Sequence, residues 1–218
     1  MKTLRMRKGS MDDSSREKLL SAATKLFSKK GFDRVSIRDI AKESGCNICL
    51  VSYYFGGKEK LYLNIFEAFF ARVGKYLDAA HTAHADLDKP ITREEFETGV
   101  SEKIRFMVDE FLRYPELKIL MHREVMDGFP HTKKVFDEHL GKVKTGAGNI
   151  YERAKRSGLL KAKIDGATFA ILLTRSVEAY FVARMFAKPI QEMGIDPVKN
   201  TDLFVEQIEE IFLRGALK

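Results

Sequence analysis

Tyr53, Tyr54 and Lys58, set in the run Ser52-Tyr-Tyr-Phe-Gly-Gly-Lys58, are the side chains whose types and spacing offer chemistry. A tyrosine hydroxyl donates to a phosphate oxygen while its ring braces the sugar. A lysine that opens a helix adds its charge to free backbone N–H groups that already favour an anion. Contacts of this kind set affinity and register on a nucleic-acid backbone without reading its sequence. Base edges are within the repertoire of the residues just before: Asn47 and Ser52 can hydrogen-bond to them, while Ile48, Cys49 and Leu50 can meet thymine methyls. By helical position Tyr54 belongs to the core rather than to the contacts.

A second chemistry is offered by Cys46-x-x-Cys49, a spacing that suits a metal or a redox couple near a helix N-terminus. The chain holds only these two cysteines and no further ligand pair, and Cys46 falls where the turn is packed. A redox-responsive regulator therefore stays as an alternative reading. FGGKEK is not a phosphate-binding loop, because Ser52 stands where the first glycine is required and Glu59 follows the lysine. Gly146 and Gly148 lack the third glycine and the preceding strand of a dinucleotide fingerprint. His81 and His84 with Asp86 and Asp88 have metal-ligand character but lie in a polar break, where a solvated helix end is the better reading. No HExxH, nucleophile elbow or carboxylate pair with a nearby base occurs. An enzyme is not expected, nor is a cofactor or a metal.

The elements that must position these residues lie between Ser36 and Leu61. Ile37, Ile40 and Ala41 form a short apolar helical face, and Ser36 with Asp39 has the form of a capping box. Gly45 supplies the permissive backbone of a sharp turn, and Asn47 is suited to cap a second helix whose inward side is Leu50, Val51 and Tyr54. The outward side of that helix is Ile48, Cys49, Ser52 and Tyr53, free to enter a groove about 12 Å wide. This is a helix-turn-helix pattern.

Over about residues 14–66 the chain resembles the TetR family of transcriptional regulators, most closely in GCNICLVSYYFGGKEKLY, where an aromatic pair, a Phe-Gly turn and a helix-opening lysine fall in the family's order. The resemblance implies phosphate contacts at the positions of Tyr53 and Lys58 and another backbone contact at Arg38. It also implies a ligand-responsive homodimer with a divergent C-terminal domain. Two positions depart from the family pattern: Cys46 replaces a usual valine, and Cys49 a usual small residue.

The net charge of +7 over 218 residues is concentrated rather than spread. Residues 1–60 hold 14 Lys and Arg against 7 Asp and Glu, whereas residues 61–218 hold 24 against 24. A basic excess confined to the helix-turn-helix module is the footprint of phosphate binding. No apolar run approaches the length of a membrane span, the basic start lacks an apolar leader, and two cysteines suit a reducing compartment. A cytoplasmic protein with no membrane partner is expected.

The rest of the chain reads as helices. Leu19, Ala23, Leu26 and Phe27 mark a helix over 15–30, and Phe32 and Val35 plug the three-helix core. A wide apolar stripe from Lys58 to about Ala80 must touch two cores. Thr92 with Glu95 opens a helix to Tyr114, Pro115 starts another through Met126, and a long helix runs from Pro130 to about Arg156, interrupted by Gly146 and Gly148. Asp165 caps an almost wholly apolar helix over 166–187, and the last runs from Thr201 to about Leu213. The expectation is an all-α chain of about nine helices, with a DNA-binding domain at 1–60 and a ligand-binding and dimerisation domain at 61–218. The helices at 166–187 and 201–213 are too apolar for a monomer's surface and are expected to meet their copies across a two-fold axis, so that two recognition helices read a palindromic double-stranded DNA operator. A small, mostly apolar effector is expected among 61–80, 96–126 and 165–187. Phe66, Phe70, Phe106, Met107, Met126, Phe181 and Met185 would line its site, with His122, Arg123 or Arg175 as polar anchors. The competing class is a helical module whose N-terminal part binds protein.

Overall fold

The computed structural model describes residues 3–83, 89–185, 192 and 201–218, with backbone alone at 3–13, 80–83, 140–149 and 183–185. Nine α-helices account for most of these residues: α1 Thr3–Lys30, α2 Ile37–Ser44, α3 Cys49–Phe55, α4 Lys58–Ala83, α5 Arg93–Arg113, α6 Pro115–Met126, α7 Lys133–Arg156, α8 Gly166–Met185 and α9 Thr201–Glu209. A π-helical turn, Glu210–Arg214, continues α9, and the one extended pairing among the described residues is an isolated bridge between Leu160 and Leu217. The all-α expectation holds, and no helix among the described residues is long and apolar enough to cross a membrane.

The helix ends follow local chemistry. Thr92 and Glu95 form the reciprocal cap before α5, the Thr92 N–H donating to Glu95 Oε2 at 2.7 Å and the Glu95 N–H to Thr92 Oγ1 at 3.2 Å. Pro115 occupies the first turn of α6, where its missing N–H costs nothing. Asp165 Oδ2 accepts from the Thr168 N–H at 2.7 Å and caps α8. The helices at the chain's start and at 130–156 differ from the sequence reading. α1 begins at Thr3, well before its apolar stripe. α7 is continuous through Gly146 and Gly148, and it starts at Lys133 rather than Pro130; just ahead of it the N–H groups of His131 and Thr132 donate to the carboxylate of Glu124, and the Thr132 carbonyl accepts from the Phe136 N–H at 3.0 Å. His84, Asp86, Asp88 and residues 186–187 lie outside the described residues.

Two compact units result, Met1–Val73 with Tyr114–Leu140 and Gly74–Arg113 with Gly141–Lys218. This division by packing cuts the chain elsewhere than the functional boundary expected at 60/61, because the start of α4 and all of α6 pack with the first three helices. The first unit is built on Leu19, Phe27, Val35, Ile40, Val51, Phe55, Leu61 and Phe66, joined by Leu117 and Leu120 of α6. Inside it Tyr62 meets Phe27, Phe32 and Phe66 edge-on, at centroid separations of 5.0, 4.9 and 5.1 Å. The second unit centres on Phe96, Val100, Ile104, Tyr151, Phe169, Leu173 and Val177 of α5, α7 and α8, with Val205 and Ile208 of α9.

Candidate nucleic-acid interface

The turn between α2 and α3 is fixed from both sides. Ser36 caps α2: its backbone N–H donates to Asp39 Oδ2 at 2.8 Å, and the Asp39 N–H returns a bond to Ser36 Oγ at 3.2 Å. Hydrogen bonds from the Ser36 hydroxyl and N–H hold the Asp39 carboxyl below its ordinary pKa. Gly45 then adopts φ 66°, a left-handed conformation that a side chain would strain. Lys25 of α1 reaches Glu43 of α2 at 2.5 Å, and their mutual hydrogen bond raises the lysine's pKa and lowers the glutamate's.

Cys46 is half-buried against the first unit's core, its Sγ 3.7 Å from the Ser44 carbonyl and 3.9 Å from that of Ser15, whereas Cys49 is exposed. The cap position of α3 falls on Ile48 rather than on Asn47 as expected, because the helix begins at Cys49; the Asn47 Oδ1 nevertheless accepts from the Cys49 N–H at 2.9 Å, just ahead of the helix. That bond also turns the amide of Asn47 toward its own backbone.

α3 divides cleanly. Val51 and Phe55 are buried, and Leu50 and Tyr54 are half-buried against the same core. Asn47, Ile48, Cys49, Ser52 and Tyr53 form the exposed side; Ile48 keeps 40% of its surface accessible and Tyr53 72%. Tyr53 leans edge-on against Tyr54 at 4.9 Å, which holds its ring up from the helix. Leu50, assigned to base reading and to the inward side alike, is the one member of the reading set that the core takes up in part. Arg38 is exposed on α2.

Gly56, at φ 73°, ends α3 with its N–H on the Ser52 carbonyl at 2.9 Å, and Lys58 opens α4 directly after. The lysine is half-buried, and its Nζ lies 4.2 Å above the ring of Phe32. A phosphate contact from Lys58 would therefore compete with this cation–π pairing.

The ten residues named for an effector fall in both units. In the first, Phe66 and Phe70 are buried, Phe70 stacking on His139 at 4.9 Å, and Arg123 is half-buried with Nη1 3.5 Å from the Phe27 carbonyl. His122 is exposed, and Met126 keeps 71% of its surface accessible. In the second, Phe181 stacks on Phe111 at 4.3 Å, Phe106 stacks on Tyr76 at 4.1 Å, Met107 packs against the core, and Arg175 is exposed and ion-paired to Glu178 at 2.5 Å. The side chain of Met185 lies outside the described residues.

Two polar groups were not singled out from the sequence. Glu124 is buried in the first unit and accepts from Tyr62, Thr132 and the His131 backbone. Lys103 of α5 turns into the second unit. Each interrupts an apolar stripe at a core register, which is the signal that would have found them: Lys103 follows Phe96 and Val100 at seven and three residues, and Glu124 follows Leu117 and Leu120 at seven and four.

Residues 19–65 match the family model for bacterial regulatory proteins of the tetR family. The HTH-type transcriptional repressor NicS of Pseudomonas putida is 31% identical over 122 residues, covering 56% of this chain and 53% of that protein. A probable HTH-type transcriptional regulator, YttP of Bacillus subtilis, is 28% identical over 134 residues, or 62% of this chain and 61% of its own. The chain thus spans little more than half the length of the curated relatives it matches. Among solved structures, a TetR family transcription regulator from Marinobacter aquaeolei superposes with a TM-score of 0.67 at 20% identity over 96% of this chain and 98% of that one. HlyIIR, a hemolysin II transcriptional regulator, superposes with 0.65 at 20% identity, over 95% and 99%. At these identities the solved structures carry the fold alone.

Proposed function

We propose that this chain, which belongs to the tetR family of bacterial regulatory proteins, is a cytoplasmic, homodimeric transcriptional repressor. It binds a palindromic operator through α3 and is released by a small, mostly apolar ligand held within residues 61–218. The observation that carries the DNA-binding reading is the outer side of α3. Asn47, Ile48, Cys49, Ser52 and Tyr53 stand exposed together over a buried Val51 and Phe55, on the module that holds the chain's whole basic excess. Arg38 and Tyr53 supply backbone contacts, and Lys58 adds one by leaving the ring of Phe32. Asn47, Ile48, Cys49, Ser52 and the exposed part of Leu50 face the bases.

Dimer formation is supported by what α8 and α9 leave uncovered. Ile171 and Leu172 remain 60% and 55% exposed, and Leu203 and Ile211 lie open on α9 and the turn that continues it. Two recognition helices on a dyad must sit about 34 Å apart to meet successive half-sites. A ligand that binds better to a conformer with another spacing lowers DNA affinity by that preference, and the operator weakens the ligand equally.

The test uses a duplex selected from random oligonucleotides. A net hydrogen bond is worth about 1 kcal/mol, so Tyr53→Ala, which removes one from each protomer, is expected to weaken the dimer's binding by about 30-fold. Lys58→Ala should reduce the slope of log affinity against log salt by about 1 per protomer. Unchanged affinity and slope in both variants would overturn the reading, and a salt-independent partner would favour a protein-binding module instead.

A further inference from the structure

α5 sends Phe96, Val100, Ile104 and Val108 into the core of the second unit. Lys103 lies in the same register, and its four-carbon stem follows them inward. Its Nζ stops 3.5 Å from the hydroxyl of Tyr151 and 5.3 Å from the centre of that ring. Tyr151 is itself fully buried, packed against Phe96 and Phe169. Tyr76 of α4 completes the group. Its ring lies parallel to that of Phe106 at 4.1 Å, and it stands close enough to Tyr151 to oppose the ionisation of that phenol.

Charge is unbalanced in this cluster. Burial is the cause that acts on Lys103, lowering its pKa to about 8, and among the described residues no carboxylate offsets it. Glu102, the neighbouring acid on α5, is exposed and acts on Tyr76 rather than on the lysine. Burial pushes Tyr76 up to about 12 and Tyr151 higher still, so both phenols stay protonated and able to donate. An ammonium taken out of water without a counter-ion is costly, and leucine or methionine would fill the position without that cost.

We propose that Lys103, with the hydroxyls of Tyr151 and Tyr76, binds the carboxylate of an acidic small molecule whose apolar body lies against the Tyr76–Phe106 pair. The ligand supplies the missing negative charge, the Lys103 ammonium and the Tyr151 hydroxyl 3.5 Å from it donate to its oxygens, and Tyr76 adds the third donor. This deepens the effector reading given above and rests on it only for what binding does to DNA, since the site is tested without DNA.

Octanoate and 3-phenylpropanoate, with octanamide and 3-phenylpropanamide as their neutral counterparts, are titrated calorimetrically into the full chain. At least one carboxylate is expected to bind 10-fold or more tightly than its amide. Lys103→Met and Lys103→Gln should erase that preference, Lys103→Arg should keep most of it, and Tyr151→Phe should weaken the carboxylate several-fold. Because a carboxylate draws the lysine back to its charged form, binding to the wild type at pH 8 should also take up a fraction of a proton, measured in buffers of different ionisation enthalpy. That uptake decides the matter even if a variant fails to fold. Equal binding of acid and amide, or a preference that survives in Lys103→Gln, overturns the proposal. A carboxylate that binds through Lys103 but leaves duplex affinity unchanged upholds the site and overturns its effector role.

Discussion

Removal of the Glu124 carboxylate should cost the first unit about 3 kcal/mol, from the penalty of about 1–3 kcal/mol for each buried polar group left without a partner. Glu124 is 2% exposed, and its two oxygens are divided between partners from different elements. Oε1 accepts from the Tyr62 hydroxyl of α4 at 2.9 Å. Oε2 accepts from the Thr132 hydroxyl at 2.6 Å and from the Thr132 N–H at 3.2 Å, just ahead of α7. Tyr62 and Thr132 are themselves buried, so in Glu124→Ala no water replaces the acceptor, and at least two strong donors are orphaned. Burial and the neighbouring carboxylate raise the Tyr62 hydroxyl far above the ordinary phenol range, so it remains a donor at every working pH.

Urea unfolding followed by circular dichroism gives the measurement. With a slope of about 2 kcal/mol per molar, a loss of about 3 kcal/mol moves the midpoint of the first unit down by about 1.5 M. Tyr62→Phe, which removes one donor and leaves the rest of the carboxylate satisfied, should lose about half as much. Glu124→Gln keeps the shape and can turn its amide nitrogen toward Tyr62, whose hydroxyl then accepts, so it should be the mildest of the three. A midpoint for Glu124→Ala within about 0.5 M of the wild type would refute the reasoning, because it would mean that the donors find other partners.

Ile171→Glu with Leu172→Glu should convert the proposed dimer to monomer in sedimentation equilibrium at micromolar concentration without lowering its helicity; a wild type already monomeric would refute the dimer, and a double variant that stays dimeric would refute this surface. Gly45→Ala should cost about 1–2 kcal/mol in the same urea assay through backbone strain alone, since a Cβ at that position meets nothing within 4 Å, and Gly45→Asn should recover part of the loss. Lys103 makes stability depend on alkaline pH. The unfolded chain holds this proton up to the ordinary value of 10.5, the folded chain only to about 8, so between these values the unfolded state binds more protons and stability rises with pH. Lys103→Met should therefore melt above the wild type at pH 7, and the gap should narrow toward pH 10; a gap that ignores pH would argue that the amine stays hydrated.

What the sequence disclosed and what it withheld differ by the range of the physics involved. The Ser36–Asp39 and Thr92–Glu95 caps, the turn at Gly45 and the two sides of α3 are local: each depends on residues within one or two helical turns, and each is found as the spacing requires. The start of α7 is not local. The N–H groups of His131 and Thr132 just ahead of it are satisfied by Glu124 on the preceding helix, a partner that no pattern around Pro130 announces. Lys58 shows the same limit, since its place at a helix start was legible while its resting contact with Phe32, 26 positions earlier, was not. The candidate effector residues show the limit most plainly. A list of large apolar residues and nearby charges cannot separate a filled core from a recognition site, because both ask for the same residue types. Phe66 and Phe181 accordingly turn out to be packed on other rings. A sharper criterion is a buried charge that no opposite charge among the described residues offsets, and it is this that brings Lys103 forward as a candidate where hydrophobicity alone passed over it.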